Sequence, residues 1–313
     1  MQTFTRTFRF AAVLLFAAVC SAVLSAAPLQ EELSHSRKLR NIGRLYMACG
    51  QYDKAETYIQ QALGKLAPLQ QADSEKAICL IDLATLYYYQ ERLAESEELF
   101  LRGLAAQQNA LGADHPYAAH TLRNLTAVYI RQGRLDRAAE TLEWAFDIIL
   151  KHHLPDNRIL TPFYIDQAIL LTKLGSYDYA EVLFTEMLQR ITSEFGPNHP
   201  YLLQARQGLT ELYLETEQYA QAADEFQKLM SVQQAIYGQN SQMLVGSYLL
   251  GARICRRQGD LQQMQDYFDK ALAAVANSGN LIAVARLYEQ METIRSADII
   301  AAVHSSQPED SAG

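Results

Sequence analysis

Few residues of this chain have the types and spacing that chemistry requires. The nearest candidate for a metal site is the pair His152 and His153, but adjacent residues do not share a helical face, and no carboxylate or cysteine stands at ligand spacing. The chain contains no glycine-rich phosphate loop, nucleophile elbow, zinc-type cysteine pair or HExxH helix. We therefore expect no catalytic residue, no metal and no cofactor, and we predict that the chain is not an enzyme.

Tyrosine is abundant, with eighteen in the chain, and Tyr87, Tyr88 and Tyr89 stand in a row. Successive residues of a helix turn by about 100°, so at least one of Tyr88 and Tyr89 should reach a surface where a ligand binds. The alternative is that the rings pack between helices with their hydroxyls at the rim, which we expect for most tyrosines of the chain. We predict Tyr88 and Tyr89 as candidate partner contacts.

The segments that must position such side chains share a pattern of small and large residues that recurs every 41 or 42 residues. A period in this range is typical of stacked supersecondary units. Relative to a shared turn, each unit has a small residue seven positions before it, a large one four before, a small one five after and a large apolar one nine after. In the third unit these are Thr126, Tyr129, Ala138 and Leu142, and in the sixth Met264 breaks the rule. The six turn residues are Gly50, Glu91, Gly133, Gly175, Glu217 and Gly259.

This repeated order of small and large residues around a turn predicts pairs of packed helices. Small residues allow the two helices of a unit to approach closely, and the large ones fill the groove opposite. Sustained period-two alternation is absent, so we predict an all-α chain. Glycine suits a left-handed helix end, and we expect the turns at Glu91 and Glu217 to be slightly different. We expect Pro116 and Pro200 in the first turns of two helices, with caps from Asp114 or His115, and from Asn198 or His199.

The order of small, aromatic, glycine, small and large apolar residues resembles the tetratricopeptide repeat (TPR). The usual TPR period is 34 residues. The 42-residue spacing, with linkers such as residues 111–116 and 195–200, resembles the longer kinesin-light-chain-type repeat. The resemblance implies a right-handed α-solenoid of six helix-turn-helix repeats over residues 28–276, with a capping helix over 277–303. The polar composition of residues 304–313 predicts a disordered tail. It implies a binding scaffold without naming its partner.

In the TPR family, the first helix of each repeat lines a concave groove, and the resemblance carries these ligand-facing positions to arginine, asparagine and tyrosine residues. Arginine binds carboxylates with two parallel hydrogen bonds, and Asn41 and Asn124 match the family position whose amide holds a peptide backbone. We therefore hypothesise a groove for a protein or peptide segment that carries acidic residues. The alternative is ordinary solvated arginine on a helix face. The predicted partner-binding residues are Arg37, Arg40, Asn41, Arg44, Tyr88, Tyr89, Arg123, Asn124, Arg131, Arg253, Arg256 and Arg257.

Residues 1–27 have the pattern of a secretory signal peptide. Arg6 and Arg9 precede an uncharged apolar run over residues 10–24, and small residues follow it. The run is short for a membrane span, which needs about 20 residues. We expect an exported chain, periplasmic in a bacterium or secreted, with cleavage near Ala26 or Ala27. The alternative is an uncleaved inner-membrane anchor, which alone would bring the chain to a membrane.

The charge and cysteine content narrow the class of partner. A net charge of -8 disfavours a nucleic-acid partner, which requires a basic face. Beyond the signal segment, Cys49, Cys79 and Cys255 are too few for a disulfide framework, and Cys49 and Cys79 would pair only if neighbouring helices bring them together. We predict a non-enzymatic scaffold or adaptor of the cell envelope. The alternatives are a membrane-tethered assembly factor and a regulatory subunit of an enzyme complex.

Overall fold

The computed structural model describes residues 29–69, 72–152, 157–239, 241–276 and 281–305, and within these ranges the chain forms helices and turns with no strand. The all-α prediction is confirmed for this part of the chain. The predicted signal peptide over residues 1–27 lies outside the described residues, as do residues 306–313 of the tail predicted over 304–313, whereas residues 304 and 305 end the last helix.

The helices follow one another with short turns and linkers. In chain order they are α1 (29–48), α2 (Tyr52–Leu66), α3 (Asp73–Tyr89), α4 (Leu93–Leu111), α5 (Pro116–Arg131), α6 (Leu135–Lys151), α7 (Asn157–Lys173), α8 (Tyr177–Phe195), α9 (Pro200–Glu215), α10 (Tyr219–Tyr237), α11 (Val245–Gln258), α12 (Leu261–Ala276) and α13 (Leu281–Ser305). A short 3-10 helix, Gln242–Leu244, leads into α11.

The helices form two compact units. The N-terminal unit contains α1 to α5 and the C-terminal unit contains α7 to α13, while α6 is divided between them. In the N-terminal unit, α3 packs on α4 and α4 on α5. In the C-terminal unit, α7 packs on α8, α9 on α10 and α11 on α12, and α13 contacts α11 and α12. The pairs α3–α4, α7–α8, α9–α10 and α11–α12 are predicted helix-turn-helix repeats, whereas the contact of α4 with α5 joins two successive repeats.

The repeated small and large residues form the core of each pair. A Cβ atom at Gly43 of α1 would lie only 2.6 Å from Cγ1 of Ile59 in α2, so this helix crossing has no room for a side chain. At the equivalent crossing of α3 and α4, Ser96 donates a hydrogen bond of 2.8 Å to the carbonyl of Ala84. The large residues nine positions after the turns are buried, with 0 to 3% exposure: Ile59, Phe100, Leu142, Phe184, Phe226 and Phe268.

The six turn residues share one backbone conformation, whatever their side chain. The four glycines have φ between 72° and 80°, and Glu91 and Glu217 have φ of 61° and 60°. The expectation of a slightly different turn at the two glutamates agrees with these values, since their φ lies 11° to 20° below that of the glycines within the same left-handed region. The shared region follows from the hydrogen bonding: the residue after Glu217 donates a hydrogen bond of 2.8 Å to the carbonyl of Tyr213, as the residue after Gly175 donates one of 2.9 Å to that of Leu171. Holding a side chain in this left-handed region costs roughly 1–2 kcal/mol.

The linkers before α5 and α9 are capped by histidine. Nδ1 of His115 accepts the backbone N–H of Tyr117, and Nδ1 of His199 accepts that of Tyr201, each at 3.2 Å. A proline follows each histidine and begins the helix, where its missing N–H leaves no helical hydrogen bond unmade. Of the alternatives that the sequence left open, histidine provides the cap in both linkers.

Candidate functional site

In the N-terminal unit, the arginines of α1 hold carboxylates of α3. Nε of Arg37 donates to Glu75 at 2.7 Å, and Nη1 of Arg40 donates to the other oxygen of the same carboxylate at 3.3 Å. Nε of Arg40 also lies 3.7 Å from Oδ2 of Asp82, and both side chains are only 14% exposed. Burial raises the pKa of the Asp82 carboxyl, although the guanidiniums of Arg44 and Arg40 oppose the shift. Two of the predicted binding arginines thus already bind acids of their own chain.

Four other predicted contacts of this unit lie at or near the surface. Asn41 and Arg44 are exposed on α1, while Arg123 and Asn124 are half-buried on α5. They lie on the first helices of repeats, as the family resemblance implies. Whether a partner contacts them remains a prediction.

The predicted tyrosines belong to an aromatic cluster that ends in an ion pair. The rings of Tyr52 and Tyr89 stack with centroids 6.4 Å apart, and Tyr88 meets Tyr89 edge-on at 5.8 Å. The guanidinium of Arg131 lies 5.6 Å from the centre of the Tyr88 ring, and it forms an ion pair with Glu91, the turn residue of the second repeat. Tyr89 is 52% exposed, so the cluster presents an aromatic face to solvent.

In the C-terminal unit, the three predicted arginines of α11 line a cleft of about 390 Å³. Its walls are the end of α9, the turn into α10, the last turns of α11 and the middle of α13. Within the described ranges, the guanidiniums of Arg253 and Arg257 form no ion pair with any carboxylate. The residues that line the cleft are Leu214, Glu215, Glu217, Tyr219, Arg253, Arg256, Arg257, Thr293 and Ile294.

The cleft repeats the register of the ion pair in the N-terminal unit. Arg131 stands two residues before its turn and binds the glutamate 40 residues earlier, Glu91. Arg257 likewise stands two residues before its turn, and Glu217 precedes it by 40 residues. Arg131 and Glu91 are joined, whereas Arg257 and Glu217 both line the cleft without forming an ion pair. The arginine and the glutamate at these two positions thus form an ion pair in the N-terminal unit and form none in the C-terminal unit.

The lining of the cleft suits a carboxylate attached to an apolar group. Three guanidiniums face two carboxylates, and Glu215 is already held by Nζ of Lys173 at 2.9 Å. Leu214, Tyr219 and Ile294 add apolar surface beside the charges. An anionic ligand would therefore find forked donors and an apolar contact in one place.

Sequence reasoning found the arginines of this cleft but missed Glu217, Tyr219 and the contribution of α13. The signal that could have found Glu217 is its 40-residue spacing from Arg257, which repeats the spacing of Glu91 from Arg131. Thr293 and Ile294 follow the six repeats in the chain, so the repeat register alone could not place them.

The described residues contain no group of three histidine, cysteine or carboxylate side chains arranged to hold a metal. The three cysteines in these ranges are free thiols, so Cys49, which is exposed, and Cys79, which is buried, are not paired. Among the helices described, none combines the length and apolar character that crossing a membrane would require.

Comparison with known proteins gives the same architecture. The mitochondrial tetratricopeptide repeat protein 19 homolog of Drosophila melanogaster is 22% identical over 223 residues, which cover 67% of this chain and 59% of that protein. The chain therefore spans only about three fifths of this relative. The structure of NprR in complex with its cognate peptide NprX superposes with a TM-score of 0.61 at 17% identity, over 83% of this chain and 71% of NprR. Kinesin light chain TPR-like repeats of Podosopora anserina give a TM-score of 0.48 at 20% identity, over 65% of this chain and 97% of theirs.

A sequence model described as tetratricopeptide repeat matches residues 34–109, 75–151 and 161–235, which is more than half of the chain. These matches fall on the repeats that the structure shows as paired helices with left-handed turns. The chain belongs to the tetratricopeptide repeat family.

Proposed function

We propose that this chain is a non-enzymatic scaffold or adaptor that binds an acidic segment of a protein or peptide partner. One observation carries the proposal. Arg253 and Arg257 line a cleft and form no ion pair with a carboxylate of the described residues, while Arg131, in the same register as Arg257, holds Glu91. A partner carboxylate in the cleft would form an ion pair with Arg257, as Glu91 does with Arg131. NprR, a protein of similar fold, was solved with a bound peptide, which supports a peptide-sized partner.

The cleft can be tested with a defined probe. We would label a 12-residue peptide of alternating leucine and glutamate with fluorescein, and measure its binding to the purified chain by fluorescence anisotropy. The variant Arg253→Gln/Arg257→Gln should bind the peptide at least tenfold more weakly, which corresponds to about 1.4 kcal/mol. Hydrogen bonds to charged groups contribute about 1.5–3 kcal/mol each, so the loss of two donors suffices for this change.

The matched control is Arg102→Gln/Arg137→Gln, which removes the same charge from two exposed arginines of second helices. This variant should bind the peptide as tightly as the parent chain, and a peptide with glutamine in place of glutamate should not bind. Equal weakening by both arginine pairs would show that net charge alone attracts the peptide, and would overturn the proposal.

We further propose that the chain is exported, on the pattern of residues 1–27 in the sequence. Fractionation of a bacterial host, followed by N-terminal sequencing of the recovered chain, tests this directly. We expect the chain in the periplasmic fraction with a new N-terminus next to Ala26 or Ala27. A chain that retains Met1 in the membrane fraction would instead support the uncleaved anchor.

A further inference from the structure

One face of α8 carries apolar side chains that no described element covers. The Tyr179 side chain is 76% exposed and Val182 is 59% exposed. Because residues three or four apart on a helix are neighbours, these two side chains and Glu186 form one row along the helix. We call Tyr179, Val182 and Glu186 the α8 stripe.

The repeat architecture does not require apolar residues at these positions. The residues in register with Tyr179 in the other repeats are all polar or charged, and so are those in register with Val182. Since the other five repeats fold with polar residues here, packing does not explain Tyr179 and Val182. The first set is Lys54, Glu95, Arg137, Gln221 and Gln263, and the second is Thr57, Glu98, Glu140, Asp224 and Asp266.

In other repeats this row carries ion pairs within one helix. Glu98 and Arg102 lie 3.4 Å apart on α4, and Asp224 and Lys228 lie 2.6 Å apart on α10. On α8 the same two positions hold Val182 and Glu186. The usual acid is replaced by valine and the usual base by glutamate, so the row on α8 is apolar and acidic.

The surroundings of the stripe are acidic. An open cavity of about 440 Å³ runs along this face and is lined by Asp178, Glu181, Val182, Thr185, Glu186 and Gln189. Glu181 accepts a hydrogen bond of 2.8 Å from the hydroxyl of Tyr213. Within the described ranges, Asp178 and Glu186 form no ion pair. The face therefore offers an apolar centre with carboxylates beside it.

We propose that the α8 stripe docks a helical segment of a partner in which apolar side chains are flanked by lysine or arginine. An apolar side chain would cover Val182 and Tyr179, and the flanking cations would meet Glu186 and Asp178. Such docking of an amphipathic helix on an apolar groove is a general mode of peptide recognition. This surface has the opposite charge preference to the arginine cleft, and the proposal does not depend on the function proposed for that cleft.

A designed peptide tests the stripe. We would use a fluorescein-labelled 14-residue peptide of leucine and lysine with the leucines on one helical face, and a scrambled peptide of the same composition as comparator. The variant Tyr179→Gln/Val182→Asp introduces the residues that the fifth repeat has in this register. It should bind the amphipathic peptide at least tenfold more weakly, although its charge is more negative. Glu186→Lys should also weaken binding severalfold.

The control is Thr57→Asp, which adds the same charge at the same register of α2 and should leave the affinity unchanged. Circular dichroism should show unchanged helicity for each variant, since all substituted side chains are exposed. Equal or tighter binding of the peptide by Tyr179→Gln/Val182→Asp would show that only diffuse charge attracts it, and would overturn the proposal. A dimer in light scattering that this variant converts to a monomer would also overturn it, because the occupant would then be a second copy of the chain.

Discussion

Three predicted binding arginines of the N-terminal unit and two of the C-terminal unit differ in whether they form an ion pair. In the N-terminal unit, Arg37 and Arg40 bind Glu75, and Arg131 binds Glu91. In the C-terminal unit, Arg253 and Arg257 line a cleft and form no ion pair within the described ranges. Arginines in the same register of a first helix thus form an ion pair in one repeat and none in another, and our proposal assigns partner binding to those without an ion pair.

The largest effect should come from breaking the ion pairs of α1. Arg40→Met should lower the free energy of unfolding by about 2 kcal/mol, because it leaves the carboxylates of Glu75 and Asp82 less compensated at 17% and 14% exposure. Arg257→Met should change it by less than about 0.5 kcal/mol, since that side chain is exposed and unpaired in the described structure. Urea denaturation followed by circular dichroism compares the two. Equal losses would erase the distinction between structural and available arginines.

Charge reversal at Arg257 and at Arg131 tests which of the two units binds the acidic peptide. Arg257→Glu should weaken the leucine and glutamate peptide roughly 30-fold, because a like charge would then face the ligand. Arg131→Glu should leave the affinity within about twofold, because that arginine is engaged by Glu91. The same anisotropy titration measures both variants. A larger effect at position 131 would place the acidic-segment site in the N-terminal unit instead.

Replacing each turn glutamate by glycine tests how much the ion pair of Glu91 and the carboxylate of Glu217 contribute to stability and to peptide binding. Glu217→Gly should stabilise the chain by about 1 kcal/mol, because it relieves the left-handed strain, and should tighten peptide binding about threefold by removing a carboxylate from the cleft. Glu91→Gly should stabilise less, because it also removes the ion pair with Arg131. Urea titrations of the two single variants provide the comparison, and an equal gain at both turns would mean that the ion pair contributes nothing.

The smallest effect concerns the pH dependence of stability. Burial raises the pKa of Asp82 above its ordinary 3.8 in the folded chain. The folded state therefore binds this proton more tightly than the unfolded state, and the associated stabilisation is full below pH 3.8 and is lost as the pH rises through the folded pKa. Asp82→Asn should remove this decline of stability with rising pH, because asparagine does not titrate. Urea midpoints from about pH 4 to 6 would measure it, and parallel curves for the two chains would contradict the expectation.

The fold was predictable because its packing positions recur. Ala84, Thr126 and Ala168 are buried at helix crossings where the sequence places a small residue once per repeat. One small residue does not predict a helix crossing, but small residues at the same position of six repeats predict where the helices and the turns lie. The Glu91 and Glu217 turns keep the left-handed conformation of the glycine turns, because the same backbone hydrogen bonds form at both kinds of turn.

The candidate site was only partly predictable. Periodicity places Arg40 and Arg257 on the same kind of helix face, but it does not tell which carboxylate of another repeat reaches them. The contact of Arg40 with Asp82 depends on the packing of α1 beside α3. The α8 stripe was missed for another reason: attention to what the repeats share hides the positions, such as Val182, at which one repeat departs from the others.

The shared turn has a consequence for how such an array can change over time. Its hydrogen bonds come from the backbone and are the same after glycine and after glutamate. Unbranched residues as well as glycine can therefore occupy the position, at a cost of roughly 1–2 kcal/mol. At Glu217 that position borders the cleft. The turn is thus a place where a single codon change can add or remove a charge next to the ligand without altering the scaffold, so selectivity can drift while the architecture stays fixed.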